Sequence, residues 1–97
     1  MTPEELEIKI KSKQKIQIID LREEYEYEDG SICDINIPMG EVFSRLNEIE
    51  KKHEVIMFCK SGRRSKSMIY MLQKKGFKNI KQLEGGYESW CKKIKNV

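Results

Sequence analysis

Val55-Ile56-Met57-Phe58-Cys59-Lys60-Ser61-Gly62-Arg63-Arg64-Ser65 is an apolar run that ends abruptly on a cysteine, followed by a loop with one glycine, two serines and three cations. A strand buried on both faces of a parallel sheet reads as such a continuous apolar run. A helical pattern begins at Ser65. The strand therefore delivers Cys59 to its carboxyl end, the edge at which ligands bind in open α/β sheets.

That placement has a chemical meaning. A thiol acts as a nucleophile only as its thiolate, and cations or a helix N-terminus stabilise the thiolate. Gly62 gives the loop a φ that side chains resist. The backbone N–H groups of Lys60 to Ser65 are then able to curl into a nest around an anion. A buried, inert cysteine beside a solvated basic turn is the competing reading. The attached Gly62, Arg63, Arg64 and Ser65 favour the reactive one.

Working outward toward the C-terminus, Ser65 to Lys75 reads as a helix. Met68, Ile69 and Leu72 face the sheet, and Gly76 is its cap. Lys78 to Leu83 is the last strand. Glu84-Gly85-Gly86 turns into a final helix with Tyr87, Trp90, Cys91 and Ile94 on one face. Cys91 there reads as core.

Toward the N-terminus, His53 follows two lysines at the opposite end of the strand from Cys59, so it reads as solvated. Gly40 to Lys52 reads as a helix with the stripe Val42, Phe43, Leu46 and Ile49. Ile35-Asn36-Ile37-Pro38 is a short strand stopped by proline. Cys33 before it reads as a small filler, with a resolving-thiol role as the alternative. Glu23 to Asp29 is acidic, carries Tyr25 and Tyr27 as packing residues, and ends at Gly30 as a short helix or turn. Ile16 to Arg22 is the first strand. Its Asp20 and Arg22 read as a strand-end ion pair, as a wall of the pocket above the sheet, or as both. Thr2-Pro3-Glu4-Glu5 opens a first helix with a capping box and Leu6 and Ile10 on its inner face.

The expected fold class is α/β, a small parallel sheet with helices on both faces. It has four strands in the order 2-1-3-4, or five with a very short extra edge. The 97 residues read as one domain, 1–97, with no repeat or linker. Nineteen Lys and Arg against sixteen Asp and Glu give a net charge of +3, far from a dedicated nucleic-acid binder. No long apolar span points to a membrane. Three cysteines without paired spacing point to free thiols and a cytoplasmic location.

The chain resembles single-domain rhodanese-like sulfurtransferases along its whole length. The resemblance rests on Thr2-Pro3-Glu4-Glu5-Leu6, Ile19-Asp20-Leu21-Arg22-Glu23, Glu26-Tyr27 to Gly30, and Asn36-Ile37-Pro38. It rests most of all on Cys59 to Ser65 combined with Leu83-Glu84-Gly85-Gly86 and Trp90. It implies that Cys59 carries the sulfur and that the loop Lys60, Ser61, Gly62, Arg63, Arg64 and Ser65 binds substrate. Arg64 stands where the family usually has arginine. Relatives usually have histidine where this chain has Ser31, the segment Ile32-Cys33-Asp34 is one residue short, and a strand before the first helix is absent.

The implied reaction is a double displacement. The donor is a small sulfur-containing anion such as thiosulfate, and the acceptor is a thiol, cyanide or a partner-protein cysteine. No metal or organic cofactor is called for. One alternative is a persulfide carrier serving a partner protein or a non-catalytic interaction module, although such interaction modules often lack the cysteine. Another is a phosphatase or arsenate reductase. Those that resemble this architecture place five residues between cysteine and arginine, whereas four separate Cys59 from Arg64.

Overall fold

The computed structural model describes residues 1–95. Three parallel strands form the sheet: β1 (Ile16–Asp20), β2 (Glu54–Phe58) and β3 (Ile80–Gln82), in the order β1-β2-β3. Asp20 stands opposite Phe58, and Val55 opposite Ile80. Both faces of β2 are buried, which is why its sequence does not alternate. Val55 and Met57 point into one core with Met68, Ile69 and Leu72 of α3 (Arg63–Lys74). Ile56 and Phe58 point into a second core with Leu6 of α1 (Pro3–Lys11) and Trp90 of α4 (Gly86–Trp90). Helices therefore cover both faces, and β2 is buried from Val55 to Phe58. Among the described residues no helix is long and apolar enough to cross a membrane.

The first helix forms for the reasons its sequence suggests. The Thr2 side chain accepts from Glu5 N at 3.1 Å and Glu5 Oε1 accepts from Thr2 N at 3.0 Å, with Pro3 in the first turn. Each bond satisfies a backbone donor that the first turn would leave unpaired. Leu6 is fully buried, but Ile10 is 39% exposed, so the inner face is narrower than its spacing indicates. The acidic segment forms a single short helix, α2 (Glu24–Glu28), with Tyr27 half-buried and Tyr25 73% exposed. Tyr25 is thus a surface residue and not a packing one.

Two expectations are corrected. The four-strand sheet has three strands among the described residues. The segment 35–38 lies beside β1 as expected but is held by one parallel bridge, Asp20 to Asn36. Ile37 N donates to Asp20 O at 2.9 Å, and Pro38, which has no N–H, stops the ladder there. The helix expected over 40–52 is two 3-10 stretches, Met39–Ser44 and Leu46–Glu48. A 3-10 turn repeats every three residues, so Met39 and Val42 share the inner side and Phe43 swings out to 44% exposure.

Candidate active site

The loop after β2 is built around the Cys59 sulfur. Gly62 has φ of 100°, a left-handed conformation that lets the chain reverse and start α3 immediately. The helix therefore begins at Arg63, two residues before the position its pattern suggests. Ser65 becomes a first-turn residue whose N–H has no partner within the helix. That N–H donates to Cys59 Sγ at 3.3 Å, Gly62 N–H donates at 3.2 Å, and the Ser65 hydroxyl lies 3.5 Å away.

Cys59 is almost completely buried. Burial pushes its thiol pKa up, but the Ser65 hydroxyl and the backbone N–H groups of Ser65, Gly62 and Arg64 outweigh it. The balance holds the thiol below its ordinary value. The nest is thus made of backbone and one hydroxyl. The side chains of Lys60, Ser61, Arg63 and Arg64 are exposed around it. The structure brings Cys59, Gly62 and Ser65 into contact and leaves the cations at the surface of the same loop.

The back of the loop is held by the opposite polarity. Tyr87 N donates to Cys59 O at 2.9 Å and Glu88 N donates to Lys60 O at 3.0 Å. The loop's carbonyls thereby face the start of α4, and its N–H groups are free to face the sulfur. A Cβ on Gly86 would stand 2.5 Å from Cys59 O and 2.6 Å from Lys60 O, so only glycine permits this approach. Gln82, the last residue of β3, closes the third side. Its Nε2 donates to Gly62 O and, at 3.1 Å, to Ser65 Oγ.

Asp20 and Arg22 form the ion pair expected of them. Arg22 Nη2 lies 2.8 Å and Nε 3.0 Å from the two Asp20 oxygens, with both side chains buried. Burial opposes the guanidinium charge, and Asp20 more than offsets it, so the Arg22 pKa is raised. The Arg22 guanidinium lies 4.1 Å from the centre of the Tyr87 ring and donates to Gly30 O at 2.6 Å. The pair therefore braces the start of α4, which in turn holds the Cys59 carbonyl. Ser31 donates its hydroxyl to Asp20 Oδ2 at 2.8 Å. His53 lies at the surface, 3.6 Å from Glu50.

Gln82 and the carbonyl-facing role of Gly86 are not apparent from the sequence reading. Position offers the one available signal for Gln82: it ends the strand beside β2, at the sheet edge that carries Cys59.

Residues 2–93 match the family described as Rhodanese-like domain. A putative sulfur carrier protein of Bacillus subtilis is 37% identical over 86 residues, covering 88% of this chain and 46% of the relative. A putative sulfurtransferase of the same organism is 33% identical over 86 residues, covering 88% of this chain and 82% of that one. The chain thus spans less than half of the first relative and most of the second. Among solved structures, a rhodanese-related protein from Thermoplasma volcanium superimposes with a TM-score of 0.84 at 31% identity. That match covers 95% of this chain and 89% of the other. A rhodanese-like domain protein from Staphylococcus aureus gives 0.85 at 30% identity, covering 93% and 88%.

Proposed function

The chain belongs to the rhodanese-like family, and from that premise we propose that it is a sulfurtransferase that moves sulfane sulfur through a persulfide on Cys59. The observation that carries this reading is the pair of backbone N–H groups, from Gly62 and Ser65, that converge on one buried sulfur at the carboxyl end of β2. Such donors favour a charged sulfur at Cys59, and a terminal persulfide sulfur formed there carries the same charge.

In the first half-reaction the Cys59 thiolate attacks the outer sulfur of an anionic donor such as thiosulfate. A bond forms between Sγ and that sulfur as the donor's own S–S bond breaks. Sulfite leaves with the electron pair of the broken bond, and Cys59 becomes a persulfide. In the second half-reaction a thiolate or cyanide attacks the terminal sulfur, and Cys59 leaves as the thiolate from which it started. Covalent catalysis splits one difficult transfer into two easier ones. Lys60, Arg63 and Arg64 gather the anionic donor at the loop's surface, while the amides of Gly62 and Ser65 hold the sulfur. Ser61, exposed between them, lines the entrance.

The similarity to a putative sulfur carrier favours a second reading, in which the acceptor is a cysteine of a partner protein. Both readings load Cys59 and differ in turnover with small acceptors. Three free thiols suit either role in a reducing compartment such as the cytoplasm. The test is intact-mass analysis after incubation with thiosulfate. The parent should gain one sulfur and the Cys59→Ser protein none. Failure of the parent to load from thiosulfate or from an organic persulfide would overturn the reading.

A further inference from the structure

We infer that Gln82 is a positioning residue that frees the Ser65 hydroxyl to follow the Cys59 sulfur when it ionises, an inference that deepens the sulfur-transfer reading and rests on it. The observation is a closed set of hydrogen bonds around one hydroxyl. Ser65 Oγ lies 3.5 Å from Cys59 Sγ, 3.2 Å from Gly62 O and 3.1 Å from Gln82 Nε2. Gln82 Nε2 also reaches Gly62 O. A carbonyl oxygen only accepts, so the side of the Gln82 amide facing Gly62 must be its NH2 group, with two hydrogens to give.

The inventory of donors decides what each group does. A serine hydroxyl has one hydrogen and two lone pairs. With Cys59 as a thiol, the S–H donates to Ser65 Oγ, which donates its own hydrogen to Gly62 O. When the thiol proton leaves to solvent, the sulfur becomes an acceptor only. The Ser65 hydrogen must then turn from Gly62 O to Sγ. That turn would strip a buried carbonyl of a partner, which is costly where water is excluded. Here Lys66 N, at 3.2 Å, fills one lone pair of Gly62 O and Gln82 Nε2 supplies the second donor, so both lone pairs stay filled after the turn. The second Gln82 hydrogen fills a lone pair on Ser65 Oγ and orients its O–H toward the sulfur.

Strand geometry explains how an edge residue reaches so far. Gln82 shares the α3 side of β3 with Ile80, which packs among Met68, Ile69 and Leu72. One step beyond that core, the same side of the strand faces the first turn of α3. Gln82 therefore acts through Ser65 and does not touch the donor.

The experiment is the rate of iodoacetamide alkylation of Cys59 against pH, in a background with Cys33→Ser and Cys91→Ser. It is made on the parent, Gln82→Met, Ser65→Ala and the double variant. Gln82→Met should raise the midpoint by about one pH unit, the scale of one hydrogen bond to a charged group. In the Ser65→Ala background the same change should have no further effect. Thiosulfate turnover of Gln82→Met should fall at neutral pH and return to the parent's value above the shifted midpoint, with KM unchanged. An unmoved midpoint, or an equal shift with and without the Ser65 hydroxyl, would overturn the inference. Gln82→Ala gives the same comparison if the methionine variant folds poorly. Alkylation involves no sulfur transfer, so failure of Gln82 to act and failure of the parent to load sulfur are read separately.

Discussion

Cys33 and Cys59 are both removed from solvent to a large degree, yet their surroundings drive them apart. Cys33 is half-buried after α2, where its sulfur donates to Ile35 O at 3.3 Å and lies 3.9 Å from the Ser31 hydroxyl. Burial pushes its pKa up to about 11, and the nearby Asp20 carboxylate adds to the rise. Cys59 is buried more completely, yet its thiol is held below the ordinary value. Desolvation disfavours the thiolate at both sites. At Cys33 burial, joined by the Asp20 carboxylate, outweighs the hydrogen bonds that lower it; at Cys59 the Ser65 hydroxyl and the N–H groups of Ser65, Gly62 and Arg64 outweigh burial. Burial pushes both thiols up, and the hydrogen-bond donors around each sulfur decide whether it prevails.

The largest effect that tests this contrast is sulfur loading itself. Cys59→Ser should lose it entirely, and Cys33→Ser should keep it, as read by intact mass after thiosulfate treatment. Loading that survives Cys59→Ser and disappears with Cys33→Ser would reverse the comparison.

Alkylation at pH 8 should separate the two thiols by a factor on the order of a hundred in a Cys91→Ser protein, because only the thiolate reacts. Peptide mapping of the modified sites measures the ratio. In denaturant the two rates should converge, since both sulfurs then meet water. Equal rates in the folded protein would show that the N–H groups do not activate Cys59.

The donor cage can be damaged without touching either cysteine. Gly86→Ala drives a methyl group toward Cys59 O and Lys60 O at a residue with φ of 64°. Loading should slow roughly tenfold to a hundredfold, as expected for a small displacement of a reacting group. Stability should fall by about 1–3 kcal/mol. Gly40→Ala, where an added Cβ meets nothing within 4 Å, is the matched control and should leave loading unchanged.

Stability against pH should carry opposite signatures from the two thiols. Cys59 is lowered in the folded state, so between its folded pKa and the ordinary thiol value of 9.0 the unfolded chain binds more protons. Its contribution to stability grows as pH rises through that window, and it is lost as pH falls back through the folded pKa. Cys33 is raised from 9.0 to about 11, so the unfolded chain ionises first and stability falls between those values. Denaturant midpoints of the parent minus those of Cys59→Ser and Cys33→Ser should slope in opposite directions with pH. Slopes of one sign would break the comparison.

The smallest effects belong to the exposed cations. Lys60→Ala and Arg63→Ala should each raise the thiosulfate KM by roughly two- to fivefold, the scale of an exposed charge interaction, and the rise should shrink in high salt. The alkylation midpoint should move less than it does for Gln82→Met.

Much of this site is legible in the chain because it depends on neighbours in sequence. An apolar strand, a glycine in a left-handed turn and a helix start are local, and together they place Cys59 correctly. The first turn of α1 is legible for the same reason, since Thr2 and Glu5 cap each other. What is missed depends on partners far along the chain or on the type of helix. Gln82 meets Gly62 only because β3 lies beside β2. The 3.6-residue stripe of Val42, Phe43, Leu46 and Ile49 is real as a pattern, but 3-10 turns present Val42 and not Phe43 to the core. The strand over 35–38 has the right residues and the right neighbour, yet Pro38 leaves it with one bridge.

The grip of α4 on the Cys59 and Lys60 carbonyls also sets a timetable. Those two bonds come from Tyr87 and Glu88, which leave the ribosome well after Cys59 does. A nascent chain that stops short of Gly86 has its strand, its cysteine and its first-turn amides, but nothing to hold the loop's carbonyls turned away from the sulfur. The hydrogen bonds behind the Cys59 loop are therefore complete only once α4 is in place.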